Sequence, residues 1–146
     1  MRPALLFFSL CFALAGNSAH QINAALQQKK TKADVAMDQV AAVPEVKAFL
    51  KKHASEKAIL LLQGEPKNGR KYYWVSLGIS NFERFRPTEH FYVDPKTWEV
   101  FYLDIFISDG GDKILTLEQW RHWRKTPGWK KTHYYEHGKL MVEQGK

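Results

Sequence analysis

His133-x-x-x-His137, with Glu136 between the two histidines, is the nearest approach to a metal-binding pattern in this chain of 146 residues. On a helix both imidazoles would share one face and could hold a divalent ion. Tyr134, Tyr135 and Gly138 oppose a helix there, and the spacing fixes no third ligand. His133 and His137 are therefore weak metal candidates, read first as surface histidines. A second metal option is a copper site at His20, should the chain be cut before it, but the next histidine is His53 and four ligands are not assembled. The acids Glu89, Asp94, Asp104, Asp109 and Asp112 could be paired carboxylates, or calcium ligands around Gly110-Gly111. Glycoside hydrolysis needs two carboxyls at a set separation in a cleft, and a domain this small has little room for one. A calcium loop needs alternating acids and a closing bidentate glutamate, and this stretch has neither. Turn and cap roles account for these acids, and no cofactor is expected.

Two other patterns point to binding. Tyr72, Tyr73, Trp74, Phe91, Tyr92, Trp98, Phe101 and Tyr102 are spread along strand-like runs. Either Tyr73, Val75 and Leu77 face the core, or Tyr72, Trp74 and Ser76 do. In the first case Tyr72 and Trp74 lie on the opposite face, which is a binding surface unless the leader helix or the tail covers it. Further on, Trp120-Arg121-His122-Trp123-Arg124-Lys125 and Trp129-Lys130-Lys131 interleave aromatic and basic residues. Arg121, Arg124, Lys125, Lys130 and Lys131 could grip an anionic lipid or polymer, with indoles at the interface. The alternative is the wet side of a helix whose Trp120 is core.

The compartment is read from the start of the chain. Residues 1–19 have a charged Arg2, an apolar run from Ala4 to Leu14 too short to cross a bilayer, and small residues after it. That is the pattern of a secretory signal peptide, cut before Gly16 or before His20. A periplasmic or secreted protein is expected, with no transmembrane segment after signal removal. Cys11 lies too deep in the apolar run, behind Leu10, to serve as a lipid anchor. It is the only cysteine, so without the leader there is no disulfide, and stability must come from the core. Of the 22 basic residues only Arg2 would be lost, leaving 21 against 15 acids. That surplus favours an envelope protein or an anionic envelope component as partner, and the compartment excludes nucleic acid.

These residues must be positioned by few elements. Residues 20–42 read as a polar leader helix or spacer, and 43–128 as a single α+β domain. Pro44 suits a first helical turn, and Val43, Val46, Phe49, Leu50 and His53 share one face of the helix that follows. The pattern then changes to strands: Ala58 to Leu62, Tyr72 to Ser80, His90 to Val93, and Trp98 to Leu103, with a tight turn at Asp94-Pro95-Lys96-Thr97. Phe82 to Pro87 breaks or bulges the sheet. Leu115 to Arg124 reads as a helix that Thr116 caps and Gln119 completes as a capping box, with Leu117 and Trp120 inward. Residues 129–146 form a weakly patterned tail with room for a hairpin at Gly138. The class is α+β: an antiparallel sheet of three to four strands with helices packed mainly on one face.

The order of helix, strand Lys71 to Leu77, and hairpin Phe91-Tyr92-Val93-Asp94-Pro95-Lys96-Thr97-Trp98-Glu99-Val100 resembles the PepSY-type domain of exported bacterial proteins. The likeness covers about half of the chain after residue 19. Such domains usually have glycine where this chain has Trp98, and glycine suits the left-handed conformation that closes such a turn. The resemblance implies a binding or inhibitory module, often directed at peptidases, and supplies no catalytic residues. The expected function is an exported, non-enzymatic binding domain. The alternatives are an inhibitor of a secreted hydrolase, or a small metal-binding protein or enzyme.

Overall fold

The computed structural model describes residues 29–81, 83–108 and 112–143. The signal peptide expected at 1–19, the start of the leader segment with His20, and Asp109 to Gly111 lie outside the described residues. Helix α1 (Lys32–Ala42) leads directly into α2 (Pro44–Lys52), and strands β1 (Ala58–Gly64), β2 (Tyr73–Ser80), β3 (Phe85–Val93), β4 (Val100–Asp104) and β5 (Lys113–Thr116) follow. Helix α3 (Leu117–Trp123) and a hairpin of β6 (His133–Glu136) and β7 (Lys139–Val142) complete the chain. The first five strands form one antiparallel sheet in sequential order, and β6 and β7 form a second, two-stranded one. The class is α+β as expected, but the main sheet has five strands where three to four were expected.

The extra strand follows from capping. Thr116 and Gln119 do form a capping box. An N-cap residue has extended backbone, so the residues before it continue as a strand and not as helix. Lys113 to Thr116 therefore pair with β4, and Leu115, read above as helical, is a buried strand residue. Strand β3 starts at Phe85, well before His90, because a register shift after Leu77 places Pro87 opposite Gly78 at a bulge, where a residue without an N–H is tolerated.

The core lies on one face of the sheet. Register aligns Leu62, Val75, Phe91, Tyr102 and Leu115 across it. Ala36 and Val40 of α1, Val46 of α2 and Trp120 of α3 pack there, so all three helices join the same cluster. Trp129 is buried in it too. Residues of the segments read as leader and as tail thus share the core of 43–128. Trp120 lies parallel to Tyr102, with ring centroids 4.9 Å apart, and edge-on to Phe91. Arg121 joins α3 to α2 through a two-pronged pair with Glu45, at 2.6 and 3.0 Å.

The tail is held by polar groups. Asp104 and His133 are fully buried, 2.7 Å apart, and the carbonyl of Lys131 accepts from His133 Nδ1 at 2.7 Å. Tyr135 Oη donates to Asp104 Oδ2 at 2.7 Å, and Phe106 N to Oδ1 at 3.0 Å. His133 is therefore not the surface histidine expected from the sequence.

The turn from Asp94 to Glu99 keeps the left-handed residue that glycine usually supplies, here as Trp98 with φ 61°. Asp94 Oδ1 accepts from Lys96 N and Thr97 N, and Trp98 stacks on Tyr73 with centroids 6.2 Å apart. A left-handed L-residue costs about 1–2 kcal/mol, which the half-buried indole offsets by packing against the core.

Trp120→Ala should destabilise the fold by about 3–5 kcal/mol in urea denaturation, the usual loss for a large buried aromatic. Asp104→Ala removes the carboxylate that His133, Tyr135 and the Phe106 N–H share. It should cost more than about 2 kcal/mol, with early proteolytic cutting between β5 and β6.

Candidate functional site

The opposite face of the sheet carries the candidate site. The bulge between Leu62 and Gly64 sets Gly64, Trp74, Tyr92, Phe101 and Thr116 in one row across the strands. Tyr72, just before β2, stacks on Tyr92 (5.5 Å, 17°) and leans on Phe101 at 6.0 Å. Trp74 meets Tyr92 edge-on at 6.4 Å and His90 at 5.9 Å. Phe101, Tyr72, Tyr92, Trp74 and His90 thus form a continuous run of rings. Each aromatic is half-buried, so one side of the run meets solvent.

Two features fix it. His90 is buried, and its Nδ1 lies 2.8 Å from Ser76 Oγ and accepts from Trp74 Nε1 at 3.4 Å. Burial lowers the His90 pKa, which favours the neutral ring this acceptor role requires. At the other end a concavity of about 270 Å³ is lined by Gly69, Arg70, Lys71, Tyr72, Trp74 and Tyr92. Gly64 makes room for Arg70 there: a Cβ on it would come within 2.6 Å of Arg70 Nη1. Beyond the rings the face is aliphatic, with Ile59, Leu61 and Ile114 exposed. Flat, polarisable rings beside a guanidinium suit non-covalent recognition of an apolar or aromatic surface flanked by acid.

A second cavity, about 300 Å³, opens between α2, α3 and the core face, with Phe49, Leu77, Glu89, Trp120 and Arg124 in its lining. Glu89 accepts from Tyr102 Oη at 2.7 Å. Burial raises the Glu89 pKa above its ordinary 4.5, against the lowering effect of that hydrogen bond. Two rim groups are engaged elsewhere: His53 with Glu56 at 2.6 Å, and Glu45 with Arg121, which holds the Glu45 carboxyl below its usual range. The cavity therefore shows a protonatable hydrogen-bonding group without an acid–base pair.

Of the residues singled out from sequence, Tyr72 and Trp74 come together in the ring run. Arg121 is tied to Glu45, and Arg124 lies over the Trp120 ring at 4.5 Å. Lys125, Lys130 and Lys131 are exposed around the turns after α3. His133 has both ring nitrogens engaged inside the protein, while His137 is exposed at the β6–β7 turn, so the two are not brought together as ligands. Among the described residues no three His, Cys, Asp or Glu side chains gather as a metal site. None of the described helices is long and apolar enough to cross a membrane. Sequence reasoning missed His90, Arg70 and the grouping of Tyr92 and Phe101 with Tyr72, because cross-strand neighbours depend on register. No family model matches the chain, and neither a curated protein nor a solved structure is similar to it.

Since burial raises the folded-state pKa of Glu89, its protonated form favours the fold. That contribution is full below the ordinary value of 4.5 and is lost as pH rises through the folded value. Glu89→Gln keeps an acceptor for Tyr102 and removes the titration. Its stability relative to wild type should rise between pH 4 and pH 7 in urea denaturation series, and a falling difference would contradict this sign.

Proposed function

We propose that this chain is an exported, non-enzymatic binding domain, PepSY-like in its order of elements, that holds a protein partner on the open aromatic face of its sheet. The observation that carries this reading is the half-buried ring run Phe101–Tyr72–Tyr92–Trp74–His90 beside Arg70. Rigid aromatic anchors give large contact area for little entropic cost, and a partner with an apolar patch bordered by acid would match them. An inhibitor of a secreted hydrolase is a special case of the same surface with one defined partner. The second reading, an anionic envelope component, is favoured by the exposure of Lys125, Lys130 and Lys131 on one short segment.

The test compares wild type, Trp74→Ser with Tyr92→Ser, and Lys125→Gln with Lys130→Gln and Lys131→Gln, each shown to be folded. Each is used for capture from envelope extract and for binding to anionic vesicles. The double variant should lose the captured protein, while the triple variant keeps it. Capture unchanged in the double variant removes the ring face from consideration. Weakened, less salt-dependent vesicle binding in the triple variant alone would favour the basic segment.

A further inference from the structure

We infer that the concavity at the Tyr72 end of the ring run is the seat of one aromatic side chain of the protein partner, with a neighbouring carboxylate of that partner held by Arg70 and Lys71. This rests on the ring face being the surface that holds a protein, and it names the part of the partner that enters it.

Size and lining set the ring. The concavity measures about 270 Å³. A void of about 150 Å³ accepts a benzene ring, and sites for drug-sized ligands begin at about 300 Å³. One ring with a short polar attachment matches that space. Three of its six lining residues are themselves aromatic: Tyr72, Trp74 and Tyr92. Tyr72 and Tyr92 stack on each other, while Trp74 meets Tyr92 edge-on, so the wall presents both ring faces and ring edges. A further ring placed there gains about two- to twelvefold in affinity beyond the area it buries.

Charge sets what accompanies the ring. Arg70 and Lys71 line the same concavity, and no acid does. Both are exposed, and neither forms an ion pair among the described residues. Glu65, the nearest acid before them in the chain, is taken by Lys67 at 3.5 Å. Asp112 acts on His90 and Tyr92, after burial, from outside the lining. The guanidinium is also placed. Gly64 pairs with Trp74 in the ring row, and a Cβ on it would come within 2.6 Å of Arg70 Nη1. The missing side chain thus lets the guanidinium lie in line with the rings. A planar, two-pronged donor there suits a carboxylate. An aromatic side chain beside an acidic one is the simplest group that meets both demands.

The test is fluorescence polarisation of dye-labelled Gly/Ser peptides with the full chain. A phenylalanine between two glutamates should bind about tenfold tighter than one between two lysines. It should bind about two- to twelvefold tighter than a leucine between two glutamates. Arg70→Gln with Lys71→Gln should weaken the acidic phenylalanine peptide about three- to tenfold and flatten its salt dependence. Gly64→Ala keeps every charge, has no left-handed backbone to strain, and displaces only the far end of Arg70. It should weaken the same peptide. Thermal melts confirm that each variant is folded. Equal binding of the three peptides overturns the inference, and so does unchanged affinity in the double variant or in Gly64→Ala. Tighter binding of a neutral glucose oligosaccharide or of anionic vesicles, lost with Arg70→Gln and Lys71→Gln, assigns the concavity to sugar or lipid and also overturns it. In capture from envelope extract, a protein lost with Trp74→Ser and Tyr92→Ser but kept with Arg70→Gln and Lys71→Gln removes this seat and leaves the ring face standing. Capture unchanged in the ring variant removes both.

Discussion

The parallel contact between Tyr102 and Trp120 is the interaction on which the rest depends. Tyr102 sits mid-strand in β4, so its ring reaches Phe91 on β3, Trp120 on α3 and Trp129 after it. Its hydroxyl cannot be left bare in such a core, and Glu89 supplies the acceptor. The carboxylate in turn is held where water is scarce, which raises its pKa. Apolar packing, one hydrogen bond and one perturbed acid are thus consequences of placing a tyrosine at that register position.

Among the described residues, all three helices and Trp129 pack on the core face of the sheet, and the opposite face carries the ring run. Its rings protect one another: Tyr72 covers Tyr92, and Trp74 is anchored through His90 to Ser76. Two bulges shape this surface: one after Leu62, where Gly64 makes room for the Arg70 side chain, and one after Leu77, where Gly78 lets the β3 backbone come close. These contacts hold the rings in fixed orientations relative to one another.

Charge is deployed unevenly. The chain carries a surplus of seven positive charges, yet some of its basic residues are engaged by neighbouring groups. Arg121 holds α3 to α2, Arg124 covers an indole, and Lys113 lies over Tyr135 at 4.3 Å. The other exposed basic residues are spread along the described chain, among them Lys47, Lys51 and Lys52 on α2, Arg70 and Lys71 beside the rings, and Lys125, Lys130 and Lys131 after α3. Basic composition alone therefore overstates the cationic surface of the C-terminal helix.

Local rules made much of the fold legible. The Thr116–Gln119 capping box, the Pro44 start of α2, the Asp94 turn and the alternation of Tyr73, Val75 and Leu77 are each encoded within a few residues. Short-range hydrogen bonding and side-chain period decide them. The fifth strand was hidden because its four residues carry no period of their own and gain partners only from β4. The fate of the tail was hidden for a similar reason: a histidine and an aspartate 29 positions apart become one buried pair only when β4 and β6 meet. Trp98 in a left-handed turn looks unfavourable locally and becomes acceptable through Tyr73. The sequence by itself determined which residues could face inward and where the helices and turns begin. Only the tertiary structure decided which strands are neighbours, since register sums many weak contacts between residues far apart in the chain. On that register rest the grouping of Tyr72, Trp74, Tyr92 and Phe101, and the exposure of β1 as an edge.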